Sequence, residues 1–394
     1  MKNSKPAILG GSSIFSEFVP MVRPTLPNVE EVQEDVRDMF ATGMLTNGKY
    51  LREFETQMAT HLRVDHVVGV SSCTTGLMLT YKALNLTGEV IVPSFTFMAS
   101  VSSLVWAGLT PVFVEVDKET TNIVPSAVEA AITPHTSAIV AVHNFGNPAD
   151  IDALEDIARR HNLRLIFDAA HGLGALYNGR PVGGFGDAEV FSMSPTKLVT
   201  GGEGGVVATN DQELARRVRV GREYGNDGHY DTEFPGFNAR LAEFNAILAT
   251  KSLAMLEKNV THRNRITTIF KERLGQLPGV LCQVIRPEDR CSYREFSIVI
   301  DEAEFGLTRD ELASALRAES VDNRKYYDPP VHRHRPYQKY ALSGQTFPVT
   351  EYLSKHSLSL PIFSHMSLDT AEGICNAIER IYHHSDQVHL SLSE

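Results

Sequence analysis

Cysteine is scarce in this chain of 394 residues. Cys73, Cys282, Cys291 and Cys375 are its four, and no two stand at C-x-x-C spacing. So few thiols in so long a chain point to reduced cysteines rather than a disulfide framework or a zinc site. No apolar run approaches the roughly 18 residues that crossing a bilayer takes. The opening MKNSKPAILGGSSIF holds one short apolar patch, broken by Gly10-Gly11, and lacks the apolar centre of an export signal. A cytoplasmic location without membrane contact is the expectation. Positive charge is short too: 37 Lys and Arg against 48 Asp and Glu leave a net charge of −11. With no Lys/Arg-rich run, nucleic acid is not an expected partner. His332 and His334 lack a third ligand at sensible spacing, so no metal site is expected.

What remains is an ordinary globular composition, 42% hydrophobic and 22% charged. The length exceeds one comfortable core. The expected division is a large domain over 1–250 and a small C-terminal domain over 251–394, with the N-terminal segment packing on the latter. Apolar runs alternate with amphipathic stretches from about residue 65: DHVVGVSS, EVIVPS, TPVFVEVD, TSAIVAVHNFG and LRLIFDAA read as strands, with helical segments between them. Apolar strands recurring about every 25 residues with helices between predict an α/β fold around a mostly parallel sheet, covered on both faces. A long helical stretch is expected from about Leu241, and a frayed tail beyond His383.

The candidate chemistry lies at the ends of two strand-like runs. LRLIF ends on Asp168, and AEVFSM leads into Lys197, followed by the glycines of TGGEGG. Ligands of open α/β sheets bind at the carboxyl ends of the strands. A lone loop lysine is usually solvated, but hydroxyls at Ser192, Ser194 and Thr196 and the close-approach glycines alter that reading. A desolvated lysine forms Schiff bases with carbonyl cofactors. An acid at a buried strand end needs a partner, either a helix cap or ion pair, or the pyridinium nitrogen of pyridoxal phosphate (PLP). His171 follows three residues on, a stacking group against the ring or a core histidine. Ser72, Cys73, Thr74, Thr75 and Gly76, between a strand and a helix, suit either capping or phosphate binding. Phe95 and Phe97 suit core packing or stacking on a flat ring. GLGAL and GFGDA lack the third glycine of a dinucleotide fingerprint and lie outside the first strand–helix turn.

Together the segments LTNGKYLREFE, SSCTTGLML, VPSFTFMAS, FDAAHGLGA, GDAEVFSMSPTK, GGEGGVVATND, NARLAEFNA and SLSLPIFSHMS resemble the DegT/StrS-type aminotransferases of nucleotide-linked keto-sugars, across nearly the whole chain. The resemblance implies fold-type I of the PLP enzymes: a seven-stranded, mostly parallel sheet with a smaller α+β C-terminal domain, in a homodimer with shared active sites. It implies that Lys197 is the Schiff-base lysine, Asp168 the pyridinium partner and His171 a group against the cofactor. It further implies that Ser192, Thr74 and Thr75 hold phosphate, Phe97 stacks on the ring, and Asn238 reaches the partner subunit's phosphate. L-glutamate is the implied amino donor. Relatives with histidine in place of the lysine are sugar dehydratases, so Lys197 favours transamination. GRPVGGFGDAEVFS, REYGNDGHYDTEFPGFNARLAEF and KYYDPPVHRHRPY are most similar to enzymes aminating dTDP-4-keto-6-deoxyglucose at carbon 4. SMSPTK departs from the aromatic-rich run common before the lysine. Arg222, Arg240, Tyr327, His332 and Arg333 are candidates for gripping carboxylate or pyrophosphate, a task that suits arginine. The rival readings are a PLP-dependent dehydratase or isomerase on the same fold, and a non-catalytic binding protein.

Overall fold

The structure is a computed structural model that describes residues 4–341 and 344–393. The chain opens with little regular structure before α1 (Val29–Thr42) and α2 (Lys49–Leu62). Strands and helices then alternate: β1 (His66–Val70), α3 (Cys73–Ala83), β2 (Glu89–Pro93), α4 (Met98–Trp106), β3 (Thr110–Val114), α5 (Pro125–Ala130), β4 (Thr136–Val142), α6 (Ile151–His161) and β5 (Arg164–Asp168). A two-residue hairpin, β6 (Leu176–Tyr177) with β7 (Arg180–Pro181), precedes β8 (Ala188–Ser192), β9 (Gly205–Thr209) and α7 (Gln212–Gly221).

Seven strands form one sheet in the order β1-β9-β8-β5-β4-β2-β3. β9 runs antiparallel to both its neighbours, and the other six strands are mutually parallel. The alternation along each strand explains why it is covered twice. Leu165 and Phe167 of β5 join a cluster with α2 and with α8 (Glu243–Ala254), whereas Ile166 between them joins a cluster with α3, α4 and α7. Each of these side chains is almost wholly buried, which stabilises the fold by about 2 kcal/mol apiece.

The helical stretch expected from Leu241 is two helices, α8 (Glu243–Ala254) and α9 (Leu256–Leu274), meeting at Met255. Neither proline nor glycine stands at the break. The C-terminal part carries a second, antiparallel sheet of β10 (Val280–Cys282), β11 (Phe296–Ile300) and β12 (Ser357–Leu360). Around it lie α10 (Glu302–Phe305), α11 (Arg309–Ala318), α12 (Pro348–His356) and α13 (Leu368–Tyr382). Thr308 caps α11 in a capping box with Glu311. The N-terminal segment lies on this part: Val19 N donates to Ser320 O at 2.8 Å, and Ala7 N to Glu319 Oε1 at 2.9 Å.

The tail corrects the sequence reading. Ser385–Ser393 is a helix, α14, and not frayed chain. Val388 is fully buried in the C-terminal core, and His389 bonds Glu311 at 2.7 Å. Val388 is the apolar residue that anchors the segment, whereas Leu390 and Leu392 are exposed.

Candidate active site

Six parallel strands present their carboxyl ends at one edge of the sheet, and β9, running the other way, brings its amino end there. That edge therefore collects the segments after β1, β2, β5 and β8 and the one before β9. A cavity of about 330 Å³ opens there, lined by Thr74, Phe97, Asp168, His171, Ser192, Lys197 and Tyr327, among others. Gly205 makes the close approach possible: a Cβ on it would lie 2.6 Å from both Cys73 N and Ser72 C. Only glycine lets β9 pair with β8 while the first turn of α3 sits against it.

Asp168 ends β5 and is almost completely buried. Its carboxylate accepts from Ser100 Oγ at 2.6 Å, Ala170 N at 3.1 Å and, more weakly, Cys73 Sγ at 3.7 Å. Thr96 Oγ1 stands 3.0 Å behind Ser100 Oγ. All these donors are neutral, so they hold a buried charge in place without cancelling it. Cys73 stays a thiol, its pKa pushed well up by burial and by the Asp168 charge.

Lys197 lines the same cavity from the loop between β8 and β9. Met193 N donates to Gly204 O at 2.8 Å, and Gly201 N to Met193 O at 2.9 Å, so the loop is closed at its base. Asn245 Nδ2 on α8 holds Gly201 O at 2.6 Å, and Ser252 Oγ accepts from Thr200 N at 3.0 Å. Among the described residues no carboxylate forms an ion pair with the lysine. Burial, and then the Arg294 charge, lower its pKa from 10.5 to about 7. Burial, Lys197 and Arg294 also hold the His171 imidazole well below its usual pKa, so it is neutral.

Arg294 and Glu295, just before β11, line the same cavity as a buried ion pair. Behind them Arg263 donates to the Tyr293 and Arg294 carbonyls at 2.9 and 3.2 Å. Burial, then Arg294, lower the Arg263 pKa to about 9. Sequence reasoning passed over Arg294, Glu295 and Ser100. The signal was a charged Arg-Glu pair directly before the strongly apolar run FSIVI.

The remaining sequence candidates fall in different places. Thr75 lies beneath the cavity lining: its Oγ1 accepts from Ser72 N at 3.0 Å, and its own N–H donates to Ser72 Oγ at 3.1 Å, a capping box at the start of α3. Phe95 packs in the core against Tyr327, ring centroids 5.2 Å apart, whereas Phe97 is 49% exposed at the cavity. Tyr327 is buried, its hydroxyl 3.4 Å from Asn144 Oδ1. Asn238 is exposed and bridges to Glu223, outside this cavity. Four proposed anion grips are otherwise engaged. Arg222 is buried, donating to Glu55 Oε1 at 2.7 Å and Gly69 O at 2.8 Å. Arg240 pairs with Glu223 at 2.7 Å. His332 and Arg333 share Glu351, His332 also bonding Ser94 Oγ. These are ties between secondary-structure elements, formed because each of these side chains has a carboxylate close by.

An α/β sheet that brings a buried carboxylate and a buried lysine of lowered pKa, without an ion-pair partner among the described residues, to one cavity agrees with the fold-type I architecture of the PLP enzymes. The model of the DegT/DnrJ/EryC1/StrS aminotransferase family matches residues 28–379, and the chain belongs to that family. Spore coat polysaccharide biosynthesis protein SpsC of Bacillus subtilis (strain 168) is 33% identical over 386 residues, covering 94% of this chain and 99% of that protein. DesI, crystallised in the presence of its TDP-sugar product, is 36% identical, with a TM-score of 0.93 over 99% of both chains. S. venezuelae DesV, solved in complex with a ketimine intermediate, is 34% identical, with a TM-score of 0.85 over 93% of this chain and 99% of that one. Among the described residues no helix is long and apolar enough to cross a membrane.

Proposed function

We propose that this protein is a PLP-dependent aminotransferase that moves an amino group from L-glutamate to a nucleotide-linked keto-sugar. The acceptor that fits best is dTDP-4-keto-6-deoxyglucose, giving the 4-amino-4,6-dideoxy sugar. The observation that carries the reading is Lys197: buried, without an ion-pair partner among the described residues, with its pKa lowered to about 7 and Asp168 lining the same cavity. The likeness to DesI over the full length supports the sugar-nucleotide class.

The residues present suit PLP chemically. A neutral amine suits an aldehyde, a carboxylate held only by neutral donors suits a protonated ring nitrogen, and the start of α3 suits a phosphate. There Ser72, Cys73, Thr74 and Ser192 line the cavity, and a helix N-terminus favours anions. His171 and Phe97 supply flat groups for the ring. Bound there, the cofactor supplies an electron sink for the pair left when a proton departs the donor's α-carbon.

The chain's own groups do the rest. Lys197 Nζ, neutral for part of the population at pH 7, takes that proton and returns it, as a positioned base and then acid. Ser100 Oγ and Ala170 N fix the two oxygens of Asp168, so its carboxylate would be held in place for the ring nitrogen of a bound cofactor. His171, neutral, adds no competing positive charge beside the lysine. Phe97 and Tyr327 wall the cavity with apolar surface that excludes water.

The active unit in this reading is a cytoplasmic homodimer in which exposed Asn238 reaches the partner's cavity. Mixing Lys197→Ala and Asn238→Ala subunits should then restore activity in hybrids that have one intact site. No recovery would remove the shared-site reading. The test of the function is incubation with PLP, L-glutamate and dTDP-4-keto-6-deoxyglucose. Equimolar 2-oxoglutarate and aminated sugar nucleotide are expected. A sugar product without 2-oxoglutarate would instead establish the dehydratase or isomerase reading.

A further inference from the structure

Arg294 and Glu295 line the Lys197 cavity as an ion pair to which the proton transfer gives no part. Their side chains are 7% and 4% exposed, so two opposite charges are buried beside the lysine. Apart from Lys197, Arg294 is the sole cation among the described residues that line this cavity. The segment that delivers the pair is fastened from both domains. Ser292 Oγ donates to His171 O at 2.7 Å and Ser292 N to Gly146 O at 3.1 Å. Gly146 permits that approach, because a Cβ on it would collide with Ser292 Oγ.

The guanidinium is only half used. Its Nη1 donates to Glu295 Oε1. Its Nε is buried and has no hydrogen-bond partner, and Nη2 has none among the described residues. A buried donor without an acceptor is costly and calls for an explanation. Arginine meets a carboxylate with two parallel N–H···O bonds, and the Nε–Nη2 edge is open for such a pair. Arg222, Arg240 and Arg333 differ from Arg294 in place and not in being paired. Arg222 Nε is unpartnered as well, but none of these three arginines lines the cavity, whereas Arg294 and its carboxylate both do.

An α-amino acid brings a matching pair of charges. Its ammonium and carboxylate stand on one carbon, the carboxyl carbon about 1.5 Å from it. Lys197 takes the proton of that same carbon, so both charged groups have to lie in this cavity. A cation and an anion on consecutive, clamped residues complement them in the opposite sense. We infer that Arg294 and Glu295 form a two-point seat for the zwitterion of the amino donor. The Nε–Nη2 edge of Arg294 takes the α-carboxylate, and Glu295 holds the ammonium until the nitrogen is passed on. The keto acid that remains has no ammonium, keeps only the arginine contact and is released more readily. The seat rests on the aminotransferase reading for the identity of its ligand.

The experiment is calorimetric titration of the PLP-loaded protein, reduced with borohydride so that no amine is transferred, with L-glutamate and separately with 2-oxoglutarate. The variants are Arg294→Gln, Glu295→Gln and the two changes together. Losing a charge-assisted hydrogen bond predicts L-glutamate affinity weaker by about tenfold or more in each. The single variants part company on 2-oxoglutarate: Arg294→Gln weakens it by a similar factor, and Glu295→Gln leaves it as tight or tighter. The double variant leaves no unpaired buried charge and decides the matter where a single variant fails to fold; it is expected to lose affinity for both ligands. L-glutamate affinity within twofold of the unmutated protein in any of the three overturns the assignment, as does equal weakening of both ligands by Glu295→Gln. Release of 2-oxoglutarate from L-glutamate by the unreduced, unmutated protein tests the aminotransferase reading by itself. Its absence would sink that reading, while the titrations still decide whether the pair seats an amino acid.

Discussion

Lys197 has a consequence for stability that requires no cofactor. Its pKa falls from 10.5 in the open chain to about 7 in the fold, through burial and the Arg294 charge. Between those values the unfolded chain binds more protons than the folded one, so stability rises with pH across that window. Below pH 7 both states are charged and the fold carries the whole penalty; above pH 10.5 both are neutral and it vanishes. Replacing the side chain with methionine, similar in length and without charge, removes the penalty. For these two pKa values linkage gives a gain for Lys197→Met of about 4.7 kcal/mol at pH 6, about 3.4 at pH 8 and about 2 at pH 9. The assay is urea denaturation of the cofactor-free protein and its Lys197→Met variant at pH 6, 8 and 9, at one protein concentration. Packing differences between the two side chains shift all three gains together, so the fall from pH 6 to pH 9 is the quantity to read. A gain that stays flat, or grows with pH, would refute the claim that the lysine is held neutral, and with it the base assigned to the reaction.

Three other outcomes follow from the geometry. Ser100→Ala removes the 2.6 Å hydrogen bond to Asp168, and the affinity of the cofactor-free protein for PLP should fall about tenfold by absorbance titration. Arg222→Ala leaves Glu55 without its buried partner, so urea denaturation should show a loss of about 3 kcal/mol, while KM for both substrates stays within twofold. Deleting residues 385–394 uncovers the core around Val388 and should cost about 2–3 kcal/mol in the same measurement.

Asp168, Ser192 and Lys197 were legible because an apolar strand run announces its own end, and the first polar residue past it is at the sheet edge. The partners of the proposed anion grips were not. A cation in a polar loop reads the same whether or not a carboxylate comes to it from another element, as Glu351 of α12 does to Arg333. Arg294 and Glu295 were hidden for a related reason: they belong to the strand run of the other sheet, and only packing of the two parts turns them toward Lys197. The helix break at Met255 has no proline or glycine to mark it. In SDQVHLSLS order rests on Val388, which is buried, whereas Leu390 and Leu392 are exposed, and the sequence does not say which of the three is covered.

The reversed strand β9 bears on what this scaffold can tolerate. Because it doubles back beside β8, the peptide bearing Lys197 is clamped at both its roots and has no slack. An extra residue inserted anywhere between Met193 and Gly204 would swing the amine away from the acid while every strand kept its register. The same insertion at Asn210, on the opposite rim, would only lengthen a surface turn. Length, more than composition, is therefore the property of that peptide which natural variation is least free to change.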